Sequence, residues 1–203
     1  MDNTVNFNLQ TIDKGHHMTT YRGVKAIRCP FDYVLYQMII TKIKPDLIIE
    51  IGTHDGGGAL YMSDLMMLNG GGMVHTIDIV DKVTSDLVIN NKNIIRFLDG
   101  YQNYDLNNAN SFNNILVIDD GSHTYDDVKN SLQIFNKLVS KNSYFIVEDG
   151  ILTELGYQNY GGGPLKAIEE FLKDNTEFEI DRRMCDFFGT NATFNVNGFL
   201  FKK

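Results

Sequence analysis

Four acids and a histidine carry the most visible chemistry in this sequence. Asp119-Asp120-Gly121-Ser122-His123-Thr124 follows the apolar run 115–118, and Glu148-Asp149-Gly150 follows the apolar run 144–147. If both runs are neighbouring strands, roughly 5 Å apart, Asp120, Glu148 and Asp149 converge. Three such carboxylates repel one another unless a cation lies among them. An all-oxygen set favours Mg²⁺, Mn²⁺ or Ca²⁺ over zinc. His123, three residues past Asp120, is the candidate base, since imidazole titrates near neutrality and can take a proton from a hydroxyl. The cation would orient that hydroxyl and stabilise its charge. The plainer reading assigns these acids to helix caps and solvent, and the histidine to a loop backbone. Two acidic strand ends with a histidine between them favour the site.

A second constellation is Glu50-Ile51-Gly52-Thr53-His54-Asp55-Gly56-Gly57-Gly58, which follows another isoleucine-rich run. A strand, a glycine turn and a helix let a backbone approach a nucleotide-like ligand. The dinucleotide fingerprint fails, because His54 and Tyr61 stand where glycines are needed. No Gly-Lys-Ser/Thr follows to make a phosphate loop. Glu50 would repel phosphates and suits a ligand with a cation or hydroxyl donors. S-adenosylmethionine has an ammonium, a sulfonium and a ribose, and no phosphate. Asp78, near the end of the next apolar run, stands where a partner for ribose hydroxyls is expected.

These residues need a scaffold of buried parallel strands. Runs at 47–51, 73–80, 93–98, 115–118 and 144–147 read as strands, the apolar ones buried on both faces. Segments 177–181 and 198–202 close the sheet, the last one antiparallel. Phe31, Val34, Leu35, Met38 and Ile39 recur at helical spacing after Pro30. A helix from the glycine turn to Leu68 is stopped by Gly70, Gly71 and Gly72. Thr124 reads as an N-cap before the stripe Val128, Leu132, Phe135 and Val139. Pro164 opens a helix that buries Leu165, Ile168 and Leu172. Segment 100–114 reads as a loop or short helix. Segment 185–193 is expected to border the substrate pocket, with Met184, Phe187 and Phe188 in the core. Residues 1–29 read as an arm or lid before a single domain, 30–203. His16 and His17 within the arm are expected to point apart.

Composition limits the function. The 203 residues and 43% hydrophobic content fit one domain with a sizeable core. A formal charge of −8 argues against nucleic-acid or anionic-membrane binding. Two distant cysteines in no metal-ligand spacing point to a reduced cytoplasmic setting. No run is long enough to span a membrane, and no signal-peptide core is present.

The chain resembles the cephalosporin hydroxylase family, a branch of the class I S-adenosylmethionine-dependent methyltransferases. It is also similar to metal-dependent macrolide-sugar and rhamnosyl O-methyltransferases. The matching stretches are 20–23, 44–58, 76–79, 119–124, 144–150, 163–172, 178–182 and 193–198. The resemblance implies a Rossmann-like α/β fold, with a mostly parallel seven-stranded sheet, helices on both faces and an antiparallel last strand. Asp120, Glu148 and Asp149 fall on its Mg²⁺ (or Mn²⁺) positions, and His123 on its proposed base, with Asp120 beside it. Glu50, Gly52 and Asp78 fall on S-adenosylmethionine positions; Thr53, Gly57 and Asp119 complete the expected cofactor set. Segment 98–103 lacks the family's usual small serine-containing turn. The expected partner is a small-molecule hydroxyl acceptor, a sugar or a specialised metabolite, and a homo-oligomer is expected. The competing classes are a metal-dependent hydrolase built on the same acids and a cofactor-binding protein without chemistry.

Overall fold

The computed structural model describes residues 3–5 and 7–203; Met1, Asp2 and Asn6 of the expected arm lie outside the described residues. The strands of the main sheet are β3 (Leu47–Ile51), β4 (Met73–Ile77), β5 (Ile94–Phe97), β6 (Ile115–Asp119), β7 (Tyr144–Val147), β8 (Phe178–Ile180) and β9 (Phe199–Lys202). A two-stranded hairpin, β1 (Thr20–Tyr21) and β2 (Val24–Lys25), precedes them. The seven-stranded sheet runs in the order β5-β4-β3-β6-β7-β9-β8. It is parallel except for β9, which pairs antiparallel with both β7 and β8. The chain winds outward from β3 to β5, then returns to lay β6 on the other side of β3. That reversal opens a crevice at the carboxyl ends of β3 and β6, where open α/β sheets bind ligands.

Register decides what reaches the crevice. Ile51 pairs with Ile77 and with Asp119, and Asp119 pairs with Val147. The strand ends are therefore level. One rung further, Gly52 N donates to Ile77 O, Asp120 N to Ile51 O and Glu148 N to Asp119 O. Gly52, Asp78, Asp120 and Glu148 thus leave the sheet along one edge.

Side chains alternate between two cores. On one face, Ile48, Val74, Leu116, Ile118 and Ile146 pack with helices α2 (Pro30–Ile43) and α3 (Gly57–Leu68). On the other, Ile49, Val117, Phe145 and Val147 pack with α5 (Tyr125–Phe135) and α6 (Gly163–Asp174). The short α4 (Asp86–Ile89) lies between β4 and β5, and segment 100–114 forms two short 3₁₀ turns. The expected stripe of α5 holds: Val128, Leu132, Phe135 and Val139 are all buried. Thr124 caps that helix by accepting from Asp127 N.

The buried face of α2 is rotated from the expected stripe. It carries Asp32, Leu35, Tyr36, Ile39 and Ile40, while Val34 is exposed. Polar groups sit inward because they have partners there: Thr193 Oγ1 and Phe194 N donate to Asp32, and Tyr36 donates to Glu148. A second correction concerns α7 (Arg182–Cys185) and the loop after it. Met184 packs on the core, but Phe187 and Phe188 are half exposed, and Phe188 stacks on Phe31 outside the main core.

Candidate active site

The crevice is a cavity of about 590 Å³, within the range of small-molecule sites. Glu50, Asp78, Asp120, His123 and Asp149 line it, and so do Asp13, His16 and His17 from α1 (Leu9–His16) and its C-cap. The segment expected as an arm therefore forms part of the cavity wall. His16 and His17 do not diverge: their ring centroids are 4.0 Å apart. They lie three and four residues after Asp13, so they share its helix face, and their ligand atoms fall within 4.8 Å of one another and of the Asp13 carboxylate. Of the loop expected to border the cavity, residues 185–193, none lines it; Phe194, the next residue, does.

At the end lined by Glu50, Gly52 and Asp78, Gly52 has φ +97, and a Cβ there would lie 2.0 Å from the Asp120 carbonyl oxygen. Only glycine lets the β3 turn pass under the β6 turn. Thr53 shares a hydrogen bond with Thr76, whose hydroxyl is 2.6 Å from Glu50 Oε2. Asp78 Oδ2 accepts from Thr53 N and His54 N, and Oδ1 from Ile79 N and Val80 N. Burial opposes the Asp78 charge, but these four donors outweigh it and hold the carboxyl below its usual range. Gly57 does not line the cavity: its Cβ position is filled by the Lys25 carbonyl oxygen at 2.2 Å, so it packs the β1–β2 hairpin onto α3. Gly58 takes its place in the lining. Asp119 lines the cavity but turns its carboxylate to α5, accepting from Ser131 Oγ and from Gly121 N.

At the acid-rich end, His123 Nε2 is 3.2 Å from Asp149 Oδ2 and 3.8 Å from Asp120 Oδ1. One ligand atom from each of these three residues lies within 4.8 Å of the others. His54, His123 and Asp149 all have positive φ, 48°, 58° and 58°, a strained backbone that functional turns often hold. Burial raises the proton affinity of Asp120 and Asp149, and Glu148 adds to it in both. A divalent cation would relieve that strain, and the donors suit a hard one.

Glu148 is held differently. Arg28, invisible as a site residue in the sequence, donates from Nε to its Oε1 at 3.0 Å and from Nη2 at 2.6 Å. Arg28 Nη2 also donates to Asp120 Oδ2 at 3.1 Å. Tyr36 OH donates to Glu148 Oε1 at 2.6 Å, and its ring lies under the guanidinium at 4.6 Å. The one signal for Arg28 was its position two residues before the proline that opens α2.

The family model described as Rhamnosyl O-methyltransferase/CmcI matches residues 14–203. The chain belongs to this family. It is 30% identical over 198 residues to a rhamnosyl O-methyltransferase of Mycobacterium leprae (strain TN), covering 91% of this chain and 83% of that protein. It is 27% identical over 197 residues to a rhamnosyl O-methyltransferase of Mycobacterium tuberculosis (strain ATCC 25618 / H37Rv), covering 91% and 78%. A CmcI chain solved with Mg and SAM superposes with a TM-score of 0.68 at 20% identity, covering 100% of this chain and 88% of that one. An apo CmcI chain gives 0.71 at 19%, covering 100% and 87%. At these identities the CmcI chains support the fold: a class I methyltransferase sheet with its antiparallel strand near one edge.

Proposed function

We propose that this family member is an S-adenosylmethionine-dependent, Mg²⁺- or Mn²⁺-assisted O-methyltransferase acting on a hydroxyl of a sugar or specialised small molecule. The observation that carries the reading is one continuous cavity at the sheet's switch point. It joins the Glu50–Gly52–Asp78 end to the Asp120–His123–Asp149 cluster. The sequence relatives, named as rhamnosyl O-methyltransferases, support a sugar acceptor.

S-adenosylmethionine would supply an electrophilic methyl group, and the cation a Lewis acid beside the accepting oxygen. Asp120 and Asp149 would hold that cation, with Glu148 behind them, drawn from Arg28 and Tyr36. His123 accepts the acceptor's proton at Nε2, and Asp149 and Asp120 then face the imidazolium. Asp78 fixes the backbone of residues 53, 54, 79 and 80 around the adenosine end. Gly52 and Glu50 form the floor between the two ends.

A metal-dependent hydrolase would use the same acids but leave Glu50 and Asp78 without a ligand. A binder without chemistry would leave the strained His123 unexplained. A cytoplasmic homo-oligomer belongs to the same proposal. It is supported by two free, buried cysteines, Cys29 and Cys185, and by exposed apolar side chains such as Leu68 and Phe187. No helix among the described residues is long and apolar enough to cross a membrane.

Calorimetry tests the cofactor assignment. S-adenosylhomocysteine should bind and NAD should not. Asp78→Ala should weaken binding by about 1–3 kcal/mol, the cost of a lost partner for buried polar groups. Unchanged affinity in that variant would remove Asp78 from the site.

A further inference from the structure

The wall that α1 gives to the cavity carries donors that the proposed reaction does not use. His16 and His17 share a helix face with Asp13, and one ligand atom from each of the three lies within 4.8 Å of the others. His16 is 6% exposed and lines the cavity. Its Nδ1 donates to the Asp13 carbonyl oxygen. That bond leaves Nε2 as the bare nitrogen of the neutral ring, and Nε2 has no hydrogen-bond partner among the described residues. The Phe194 ring packs edge-on against it, with centroids 5.0 Å apart. The helix is fixed in place as well. Asn8 caps it, and Leu9 and Ile12 pack on the apolar cluster around Ile151 and Phe194.

The plainer reading is a helix-face ion pair, since Asp13 Oδ1 lies 3.6 Å from His16 Nδ1 and 4.0 Å from His17 Nε2. Such a pair needs a protonated ring. Burial and the neighbouring His17 lower the pKa of His16, which favours the neutral ring and its lone pair. Asp120 and Asp149 line the same cavity, and His16 feels the charge of Asp149. A cation at the wall is therefore attracted from two sides. Two imidazoles and one carboxylate suit Zn²⁺, whereas Mg²⁺ takes oxygen ligands. We propose that Asp13, His16 and His17 bind a zinc-class divalent cation at a second site, separate from the Asp120–His123–Asp149 cluster. Bonds of about 2.0–2.2 Å draw the Asp13 and His17 side chains inward. Both have room to turn, being 21% and 54% exposed. Three protein ligands leave a fourth position open, where an oxygen of a bound acceptor would coordinate. The site rests on the α1 wall alone and holds whether or not the chain transfers methyl groups.

The test uses the chain without a histidine tag, stripped of metal by dialysis against a chelator. Calorimetry follows Zn²⁺ binding in excess Mg²⁺, which fills the oxygen-rich cluster. Co²⁺, a coloured substitute, reports its ligands through visible absorption. One Zn²⁺ should bind the unsubstituted chain. His17→Gln, at an exposed position, should weaken it at least about tenfold, since even the outer-shell partners of metal ligands are worth about 10–100-fold. The Co²⁺ band should fade in the same variant. Asp13→Asn should repeat both effects and carries the test if His17→Gln does not fold. Asp149→Asn should leave Zn²⁺ affinity within about threefold, because a charge across a wet cavity is screened. His123→Ala replaces it if that variant does not fold. Zn²⁺ affinity and the Co²⁺ band unchanged in the wall variants, or affinity lost in Asp149→Asn or His123→Ala instead, would put the ion at the strand tips and overturn the proposal. So would the absence of any Zn²⁺ binding in excess Mg²⁺.

Discussion

In the proposed reaction the chemistry turns on His123, and its surroundings allow two roles. Its Nε2 faces Asp149 and Asp120, so the ring could take a proton or complete a donor set. The proposed reaction gives it the proton. His123→Ala should then lower turnover by about 10²–10⁴-fold, the usual worth of a positioned general base, with Mg²⁺ affinity measured by calorimetry nearly unchanged. Loss of the metal together with the rate would make His123 a ligand instead. The positive φ of His123 also limits what can replace it, since an L side chain is strained there. His123→Asn, which tolerates that backbone better than alanine does, is the variant that separates strain from chemistry.

At the scale of the element, strand register positions the site. β3, β4, β6 and β7 end level, so single residues one rung beyond them meet across the crevice. β4 carries a further device in its middle. His75 is buried, with Nδ1 2.7 Å from Tyr104 OH and an edge-to-face contact on Phe112. Burial lowers its pKa from 6.5 to about 4. A histidine whose folded pKa lies below its unfolded one stabilises the fold fully above the unfolded value. That stability is lost as the pH falls from about 6.5 to about 4, by up to about 3 kcal/mol. Urea melts at pH 7 and pH 4.5 should show the loss, and His75→Gln should show a smaller drop over the same window. An equal drop in both proteins would mean that other groups drive the acid sensitivity. The helix α2 contributes by its polar side chains. Asp32 ties it to Thr193 and Phe194, and Tyr36 places a hydroxyl on Glu148.

At the scale of the molecule, the proposed reaction gives the two ends of the cavity separable tasks. Asp78 and the glycine turn lie at one, and the acid–histidine cluster at the other. A cation held at the second end should matter for transfer far more than for cofactor affinity. Adding a chelator should abolish methyl transfer to an accepted sugar while S-adenosylhomocysteine binds within about twofold of its untreated affinity. Full turnover in chelator would sink the metal-assisted mechanism. The acceptor comes first from a panel of hydroxylated sugars, because the cavity wall of Asp13, His16 and His17 offers several hydrogen-bonding groups to such rings.

The sequence by itself determined the sheet and its chemistry-bearing ends. Isoleucine-rich runs such as 47–51 and 115–118 can only be stable when buried on both faces, and acids placed just past them must emerge at the strand tips. The stripe of α5 was equally legible, because its periodicity is local. Tertiary structure decided what those patterns do not encode. Arg28 and Tyr36 come from the N-terminal part of the chain, 120 and 112 residues from Glu148, and reach it only because α2 packs across the sheet. Gly57 stands in a glycine motif that points to a ligand, yet the Lys25 carbonyl occupies the space its side chain would need. α1 became a wall of the cavity, and Phe187 and Phe188 stayed at the surface, through contacts with partners distant in sequence. Local periodicity reports which way a side chain points from its own backbone. What it meets there depends on segments many residues away, and that is settled only when the layers close.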